Sequence, residues 1–177
     1  KKKDRIWICS FYKMTIFLLS LSISFKSIAQ ERSETVQDIC GNVYPIITIG
    51  KQVWMKADLK TTRYSNGDSI GTTTPANLDI TNEPEPKYQW AYDGNESNAE
   101  IYGRLYTWYA ATDDRNICPT GWHVPTEADW SMLTTYLAGE YIAGGKLKET
   151  GITHWKSPNY GATNESSFTA LPGGYRY

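Results

Sequence analysis

The stretch 124–139, VPTEADWSMLTTYLAG, constrains the fold more than any other part of the chain. Pro125 cannot continue a helix backwards, Thr126 is a preferred N-cap residue, and Asp129 follows three positions later, as in a capping box. The large apolar residues that follow recur at helical spacing: Trp130, Leu133, Tyr136 and Leu137. These signals predict a helix that begins after Thr126, ends at Gly139, and has an apolar face that another layer must cover.

A β-hairpin is predicted earlier in the chain. The runs VYPIITIG and QVWM are rich in β-forming residues, and Gly50 and Lys51 lie between them where a turn is needed. Pro45 has no N–H to donate to a ladder, so we expect the first run to be an edge strand.

The remaining elements are shorter. The segment YGRLYTWYAATDD, 102–114, has apolar residues at helical spacing and predicts a short helix. A further helical turn is predicted over 144–150 and a strand over 168–171. Residues 60–88 are polar, irregular and rich in turn signals, a length of loop that is usually functional or mobile. Together these elements indicate an α+β protein.

The first 29 residues have the order of a secretory signal peptide. They are basic at first, then apolar over 16–25, then small and polar up to Ala29, and Met14 is a plausible start. The alternative is a membrane anchor, but the apolar run is shorter than the ~20 residues that a spanning helix needs. We therefore expect export to the cell surface or the medium without membrane insertion after cleavage, followed by a flexible leader over 30–40.

The charge of the exported part argues against nucleic acid as a partner. The whole chain has 18 basic and 19 acidic residues, and the segment 1–29 holds six of the basic ones and one of the acidic ones. The remaining 12 basic and 18 acidic residues give a formal charge of −6, with no basic stripe to neutralise phosphates. The chain has 7 Trp and 13 Tyr, and such rings suit either the core or carbohydrate and peptide surfaces.

The cysteines and histidines do not form a recognisable reactive or metal site. Cys40 and Cys118 are candidates for a disulfide in an oxidising compartment. With His123 and His154 they lack the spacing of a zinc site. Cys118 and His123 lie five residues apart with no third, orienting group, so a structural role is the simpler interpretation.

Oxygen-bearing and aromatic residues concentrate just before the predicted helix at 102–114. In the loop 92–100 the oxygen ligands that could surround Ca²⁺ are Asp93, Asn95, Glu96, Asn98 and Glu100. The alternative is an exposed turn rich in Asx residues. The candidate ligand contacts in the same region are Trp90, Tyr92, Asp93 and Asn95.

The order of motifs resembles a known family. The motifs are GNVYPIITIGKQVWMKADLKTTRYSNG, YGRLYTWYAATDD, CPTGWHVPTEADW, AGGKLKETGITHW and GATNESSFTALPGG. In this order they are similar to the Fibrobacter succinogenes major paralogous domain, over residues 41–177. The resemblance implies a secreted or surface protein with no established catalysis. It also implies a domain that is incomplete at its C-terminus here, with the partner of Cys118 in a segment beyond residue 177.

The segment WHVPTEADW is also similar to the helix start of formylglycine-generating and related C-type-lectin-like domains. That likeness implies a C-type-lectin-like fold, with two helices flanking a small twisted antiparallel sheet. We therefore expect a binding module for an extracellular glycan or protein, with no catalysis and no cofactor beyond a possible calcium ion. The alternatives are an oxidoreductase of the formylglycine-generating type, which would need copper and paired cysteines, or one structural unit of a surface array.

Overall fold

The computed structural model describes residues 5–6, 9–12 and 34–176 of the chain. The apolar run 16–25 and the predicted cleavage position after Ala29 lie outside these residues. Within them, no helix is both long enough and apolar enough to cross a membrane.

Two small antiparallel sheets and four α-helices make up the described part of the chain. The strands are β1 (Arg5–Ile6), β2 (Ser10–Tyr12), β3 (Thr35–Gln37), β4 (Val43–Ile49), β5 (Gln52–Met55), β6 (Gln89–Ala91) and β7 (Arg104–Tyr106). The helices are α1 (Glu96–Tyr102), α2 (Trp108–Ala111), α3 (Glu127–Tyr136) and α4 (Glu140–Leu147). The sheets have the orders β1-β7-β6 and β2-β5-β4-β3. The protein is therefore of mixed α and β class, with more helices and one more sheet than the sequence predicted.

The predicted hairpin is confirmed as β4 and β5. Ile46 lies opposite Met55 and Ile49 lies opposite Gln52. Gly50 makes the turn at a φ of 61°, and a Cβ at this position would lie 2.9 Å from the Tyr136 ring. Glycine is required here by both the backbone conformation and the close approach of α3.

Pro45 does not mark an edge strand, contrary to the prediction. Strand β4 is interior, with β3 on one side and β5 on the other. The Pro45 carbonyl accepts a hydrogen bond from Lys56, which lies one residue past the end of β5. Because the N–H and C=O groups of one residue point to the same side of an antiparallel strand, the missing N–H faces Lys56, at the end of the β4–β5 ladder. The proline therefore costs one hydrogen bond at the end of this ladder and none in its interior.

Strand β2 belongs to the segment that the sequence predicted as a signal peptide. Cys9, just before it, is fully buried and forms a disulfide with Cys118, 109 residues away. Ser10 and His123 exchange two backbone hydrogen bonds, of 2.9 and 3.1 Å. Strand β3 likewise lies in the predicted flexible leader. Removal of residues 1–29 would take β1, β2 and the disulfide with it.

Two hydrophobic clusters form the core. The first contains the disulfide and fully buried side chains from several strands and loops, among them Tyr44, Met55, Leu59 and Tyr106. The second lies between the β4–β5 hairpin and the helices α3 and α4, and its buried residues are Ile49, Trp54, Leu133, Leu137, Ala143 and Phe168. The predicted apolar face of α3 is thus covered by the hairpin.

Helix α3 begins as predicted. The Thr126 side chain accepts from the backbone N–H of Asp129, and the Asp129 carboxylate accepts from the Thr126 N–H in return. The apolar face is narrower than predicted, because Trp130 and Tyr136 are exposed while Leu133 is fully buried. The helical turn predicted over 144–150 is instead the longer helix α4.

The helix predicted over 102–114 is wrong. Tyr102 ends α1, the next three residues form β7, and only α2 beyond them is helical. Gly103 makes the break at a φ of 67°, where a Cβ would lie 2.6 Å from the Cβ of Asp58. The predicted strand over 168–171 is reduced to a single bridge between Ala170 and Lys148.

Candidate binding cleft

A cleft of about 580 Å³ opens beside the end of β6. The chain leaves β6, makes one 3-10 turn over Tyr92–Gly94 and enters α1 after Asn95. Across the cleft from this turn lie residues 76–77 of the long irregular stretch and residues 175–176. Three segments far apart in sequence therefore line one concave surface, which is the usual setting of a ligand site.

Trp90 forms the floor of the cleft. Its side chain is 2% exposed, and its Nε1 donates to Thr73 Oγ1 at 2.9 Å. The guanidinium carbon of Arg176 lies 4.0 Å from the centroid of its ring, a cation–π contact. Trp90, one of the predicted ligand contacts, therefore lines the cleft as its buried floor, with its ring against Arg176.

Tyr92 and Asp93 lie on the rim, as the sequence predicted for a ligand contact. Tyr92 is 46% exposed. Asp93 has a φ of 57°, in the left-handed region that aspartate tolerates better than most residues but still at a cost. The exposed Asp93 carboxylate makes no hydrogen bond or ion pair within the described residues. The turn thus places an unpaired anionic group beside an exposed ring.

The opposite wall is held in place by Arg176. Its guanidinium donates to the carbonyl oxygens of Ala76, at 3.1 Å, and Leu78. Beside it Tyr175 is 53% exposed. The Asn77 carboxamide is also exposed and makes no hydrogen bond inside the part of the chain that the structure describes. This wall therefore offers a second ring and a free amide.

These groups can bind a ligand by stacking and by hydrogen bonding. The two tyrosine rings present apolar faces with polar hydroxyl tips. The carboxylate accepts hydrogen bonds, and the carboxamide both donates and accepts them. A ligand with apolar faces and several hydroxyl groups would satisfy all four side chains at once.

The comparison with known families identifies the domain. Residues 47–177 match the family described as the Fibrobacter succinogenes major domain. The chain belongs to this family. The matched range contains the whole cleft, while β2, β3 and Cys9 precede it. No curated protein and no solved structure matches the chain.

The calcium loop predicted over 92–100 has a different structure in this Fibrobacter succinogenes major domain. The side chain of Asn95 is the N-cap of α1 and accepts from the backbone N–H of Ser97 at 3.1 Å. The Asn98 amide donates to the Tyr92 carbonyl at 3.0 Å. Both amide side chains are therefore used to fix the turn and the helix start.

The carboxylates of the same stretch are directed to different partners. Glu96 pairs with Arg104, and Glu100 pairs with Lys60 at 3.1 Å. Asp93 lies in the turn before the helix. Among the described residues, no group of three or more His, Cys, Asp or Glu side chains is arranged to hold a metal ion. The structure does not support the predicted calcium site, because helix formation separates its ligands.

The disulfide differs from the predicted pairing. Cys118 bonds to Cys9, which lies outside the range matched to the Fibrobacter succinogenes major domain, and Cys40 is a free, exposed thiol. Partial burial opposes ionisation of Cys40, but contacts with the hydroxyls of Thr61, at 3.4 Å, and Thr62 outweigh it and lower the pKa of the thiol. Cys118 therefore does not pair with Cys40. It also does not pair with a cysteine beyond residue 177, which is the partner that the family resemblance implied.

The run CPTGWHVPTEADW, 118–130, is scaffold. The His123 Nε2 lies 3.1 Å from Asp129 Oδ2 and 3.3 Å from Ser10 Oγ. The histidine thus ties the start of α3 to β2, and the cysteine that begins the run holds the disulfide. Cys118, His123 and Asp129 of this run thus each have a structural partner.

Two kinds of functional group escaped the sequence analysis. Asn77, Tyr175 and Arg176 reach the cleft from segments that carry no motif, so only the folded chain brings them to Tyr92. Asp58 was also missed: burial raises the pKa of its carboxyl to about 7, and it makes no hydrogen bond or ion pair within the described residues. A single charged residue after a β-rich run gives no sequence signal of burial.

Proposed function

We propose that this Fibrobacter succinogenes major domain is a secreted or cell-surface binding module that recognises a glycan in the cleft described above. One observation carries the proposal: two unpaired polar side chains, Asp93 and Asn77, lie in the same cleft as two exposed rings, Tyr92 and Tyr175. Polar groups of folded domains are usually satisfied internally or by solvent, and a concave cluster of free ones beside aromatic rings suits an external ligand.

The chemistry of a sugar complements this set of groups. A pyranose ring has an apolar C–H face that can lie against a tyrosine ring. Its rim of hydroxyl groups can donate to the Asp93 carboxylate and both donate to and accept from the Asn77 carboxamide. The cleft volume of about 580 Å³ is within the range of about 300–1,000 Å³ usual for small-molecule sites.

The floor and the rear wall favour binding because they are already ordered. Trp90 is fixed by its hydrogen bond to Thr73 and by the stacked Arg176, and Arg176 in turn holds the segment 76–78. A ligand therefore has few protein groups to immobilise, which reduces the entropic cost of binding.

Two features support export. The basic, apolar and small-residue order of the first 29 residues is that of a signal peptide. The Cys9–Cys118 disulfide is a cross-link of the kind that persists in oxidising compartments. The two features cannot both persist in one mature chain, because cleavage after Ala29 would remove Cys9 and leave Cys118 as a thiol or bonded elsewhere.

We also propose that the fold is C-type-lectin-like. Its support is the similarity of the segment WHVPTEADW, 122–130, to the helix start of such domains, together with the small antiparallel sheets and the long irregular stretch 60–88 that contributes to the cleft. Ligand sites in irregular loops over a fixed scaffold are common in proteins generally.

The alternatives have less support. The formal charge of −6 without residues 1–29 argues against nucleic acid, and a protein partner would use the same exposed rings. The formylglycine-generating type of oxidoreductase needs paired cysteines, and the one free cysteine in the described residues is Cys40. We propose no catalysis. A role as a structural unit of a surface array would be favoured by tandem copies of the domain.

The test is binding of the full 177-residue chain to an array of neutral and acidic glycans, with Ca²⁺ and with a chelator. We expect specific binding that the chelator does not remove, and loss of that binding in Tyr92→Ala. The matched control is Tyr160→Ala, which truncates an exposed tyrosine that does not line the cleft. Absence of glycan binding under both conditions would contradict the proposal and favour a protein partner. Loss of binding on chelation would contradict the metal-free cleft described above.

A further inference from the structure

A second cavity adjoins the binding cleft. It has a volume of about 240 Å³ and shares one wall with the cleft, formed by Ala76, Trp90, Ala91 and Gly94. Its own residues, which the cleft lacks, are Thr72, Thr73, Thr74 and Glu96. The two cavities are therefore neighbours on one surface, with the tyrosines at one end and the threonines at the other.

Two small residues form the boundary between the two cavities. A Cβ at Gly94 would lie 2.9 Å from the Cβ of Ala76, closer than two such atoms approach in folded proteins. Gly94 also has a φ of 66°, which favours glycine. Ala76 and Gly94 are therefore in contact, and because both residues are small, the boundary that they form between the two cavities is low.

The far cavity offers free hydroxyl groups. Thr73 is buried, and its hydroxyl is used by Trp90 and by the carbonyl of Pro75 at 2.9 Å. Thr72 and Thr74, on either side of it, are exposed, and their hydroxyls make no hydrogen bond within the described chain. Alternation along an extended segment therefore directs one threonine to the floor and leaves its two neighbours for a ligand.

We propose that the cleft and the second cavity form one groove, which binds a neutral oligosaccharide through more than one sugar unit. One unit lies at the Tyr92 and Tyr175 end, and the chain continues past Ala76 and Gly94 to the hydroxyls of Thr72 and Thr74. This inference rests on the proposed function, because it assigns the class of ligand to the same site.

The charges of the groove favour a neutral ligand over an acidic one. Asp93 is an unpaired carboxylate at one end. At the other end Glu96 is paired with Arg104, so that pair has no net charge to attract an anion. Arg176 lies against the Trp90 ring and donates to two backbone carbonyls, and its positive charge balances the charge of Asp93, so the lining of the groove has no net charge. A uronic acid near Asp93 would meet a like charge, which opposes binding.

The experiment measures Kd for length series of gluco-, xylo- and manno-oligosaccharides, from the monosaccharide to the hexasaccharide, by calorimetry on the full chain. We expect the affinity to rise by roughly tenfold or more from one unit to the shortest chain that spans both cavities, and then to level off. A matched pair of neutral and acidic galacto-oligosaccharides tests the charge argument, and the acidic member should bind more weakly.

Two variants test the boundary and the far cavity separately. Ala76→Leu enlarges the side chain at the boundary and should flatten the length series, and Ala128→Leu, on the exposed start of α3, is its matched control. Thr72→Val with Thr74→Val, which keeps the side-chain shape, should weaken only the longer ligands.

The outcomes separate the two proposals. If no member of any series binds, the glycan-binding function itself fails. If monosaccharides and longer chains bind equally well to the wild type, or if the threonine variant binds long ligands as the wild type does, the groove is overturned and a single-sugar site remains. Stronger binding of the acidic member would contradict the assignment of a neutral ligand.

Discussion

Asp113 and Asp93 are carboxylates in similar loop surroundings, yet the protein treats them in opposite ways. Asp113 has a side chain that is 7% exposed, and it accepts from Arg115 Nε at 2.8 Å, from Arg115 Nη2 at 2.9 Å and from Lys87 at 2.9 Å. Asp93 is exposed, has a backbone in the left-handed region and has no such partner among the described residues. The first carboxylate holds the scaffold together, and the second is the one that we propose contacts a ligand.

The surroundings of the two carboxylates sharpen this contrast. Near each, an arginine lies on an aromatic ring: Arg115 is 3.9 Å from the centroid of Tyr64, and Arg176 is 4.0 Å from that of Trp90. Arg115 also forms the ion pair that neutralises Asp113, whereas Arg176 donates to backbone carbonyls of the cleft wall. The same kind of arginine–aromatic contact therefore belongs to an ion-pair network in one region and lines an open cleft in the other.

The comparison predicts that substitutions in the scaffold reduce stability, whereas substitutions in the cleft reduce ligand binding. We expect the largest loss of stability when the disulfide is removed. Replacing Cys9 and Cys118 together by alanine should lower the free energy of unfolding by about 4–5 kcal/mol, because a cross-link over 109 residues strongly restricts the unfolded chain. Urea denaturation of the full chain measures this. Cys40→Ala is the control and should unfold like the wild type. Equal stability of the double variant and the control would contradict a structural role for the bond.

The second largest loss of stability is expected when Asp113 is replaced. Asp113→Asn removes the charge that binds Arg115 and Lys87 and should lower the Tm by several degrees, whereas Asp114→Asn, at an exposed neighbour, should not change it. Hydrogen bonds from Arg115, aided by Lys87, hold the pKa of Asp113 well below its usual range. The stabilisation is therefore complete above pH about 4 and is lost as the pH falls below that value.

The difference between Asp113→Asn and the wild type should accordingly shrink in acid. Thermal unfolding at a series of pH values between neutral and strongly acidic provides the measurement. A difference that stayed constant with pH would mean that the ion pair does not stabilise the folded state.

The sequence predicted the local elements with clear start and stop signals and missed those that depend on tertiary pairing. The capping box of α3 and the turn at Gly50 are local, so both were predicted. Strand β7 was predicted as helix because Leu105 and Trp108 have helical spacing, while its pairing with β1 and β6 comes from residues that are distant in sequence. The Cys9–Cys118 pairing was missed because Cys9 lies in the segment that the sequence predicted as a signal peptide.

The candidate site was predicted in part. Tyr92 and Asp93 were chosen from their composition and prove to line the cleft. Asn95 was assigned to a ligand but caps α1, since Asx residues serve helix starts as readily as metal ions and sequence cannot separate the two uses. The opposite wall, with Tyr175, could not be predicted because nothing in the sequence relates it to β6.

Asp58 provides a third carboxylate, which is partly buried and has no partner among the residues that the structure describes. It predicts a pH effect of opposite sign. Burial raises its pKa from 3.8 to about 7 in the folded protein, so between these values the folded state binds more protons than the unfolded state. The stability of the wild type should therefore fall, relative to Asp58→Asn, as the pH rises from about 4 to about 7, and stay constant above and below. A relative stability that rose with pH over this window would show that Asp58 has an unrecognised cationic partner.

We expect the smallest effect on stability from a substitution of Asp93. This substitution tests whether the two carboxylates really differ in role. Asp93→Asn keeps the shape of the side chain, and asparagine tolerates the left-handed backbone as well as aspartate does, so the free energy of unfolding should change by less than about 0.5 kcal/mol. Glycan affinity should nevertheless fall roughly tenfold or more, because a charged hydrogen-bond acceptor is lost from the cleft. Asp113→Asn should give the reverse result, with reduced stability and unchanged affinity below its Tm. If Asp93→Asn unfolds as early as Asp113→Asn and binds glycan as well as the wild type does, both carboxylates belong to the scaffold and the cleft is not a binding site.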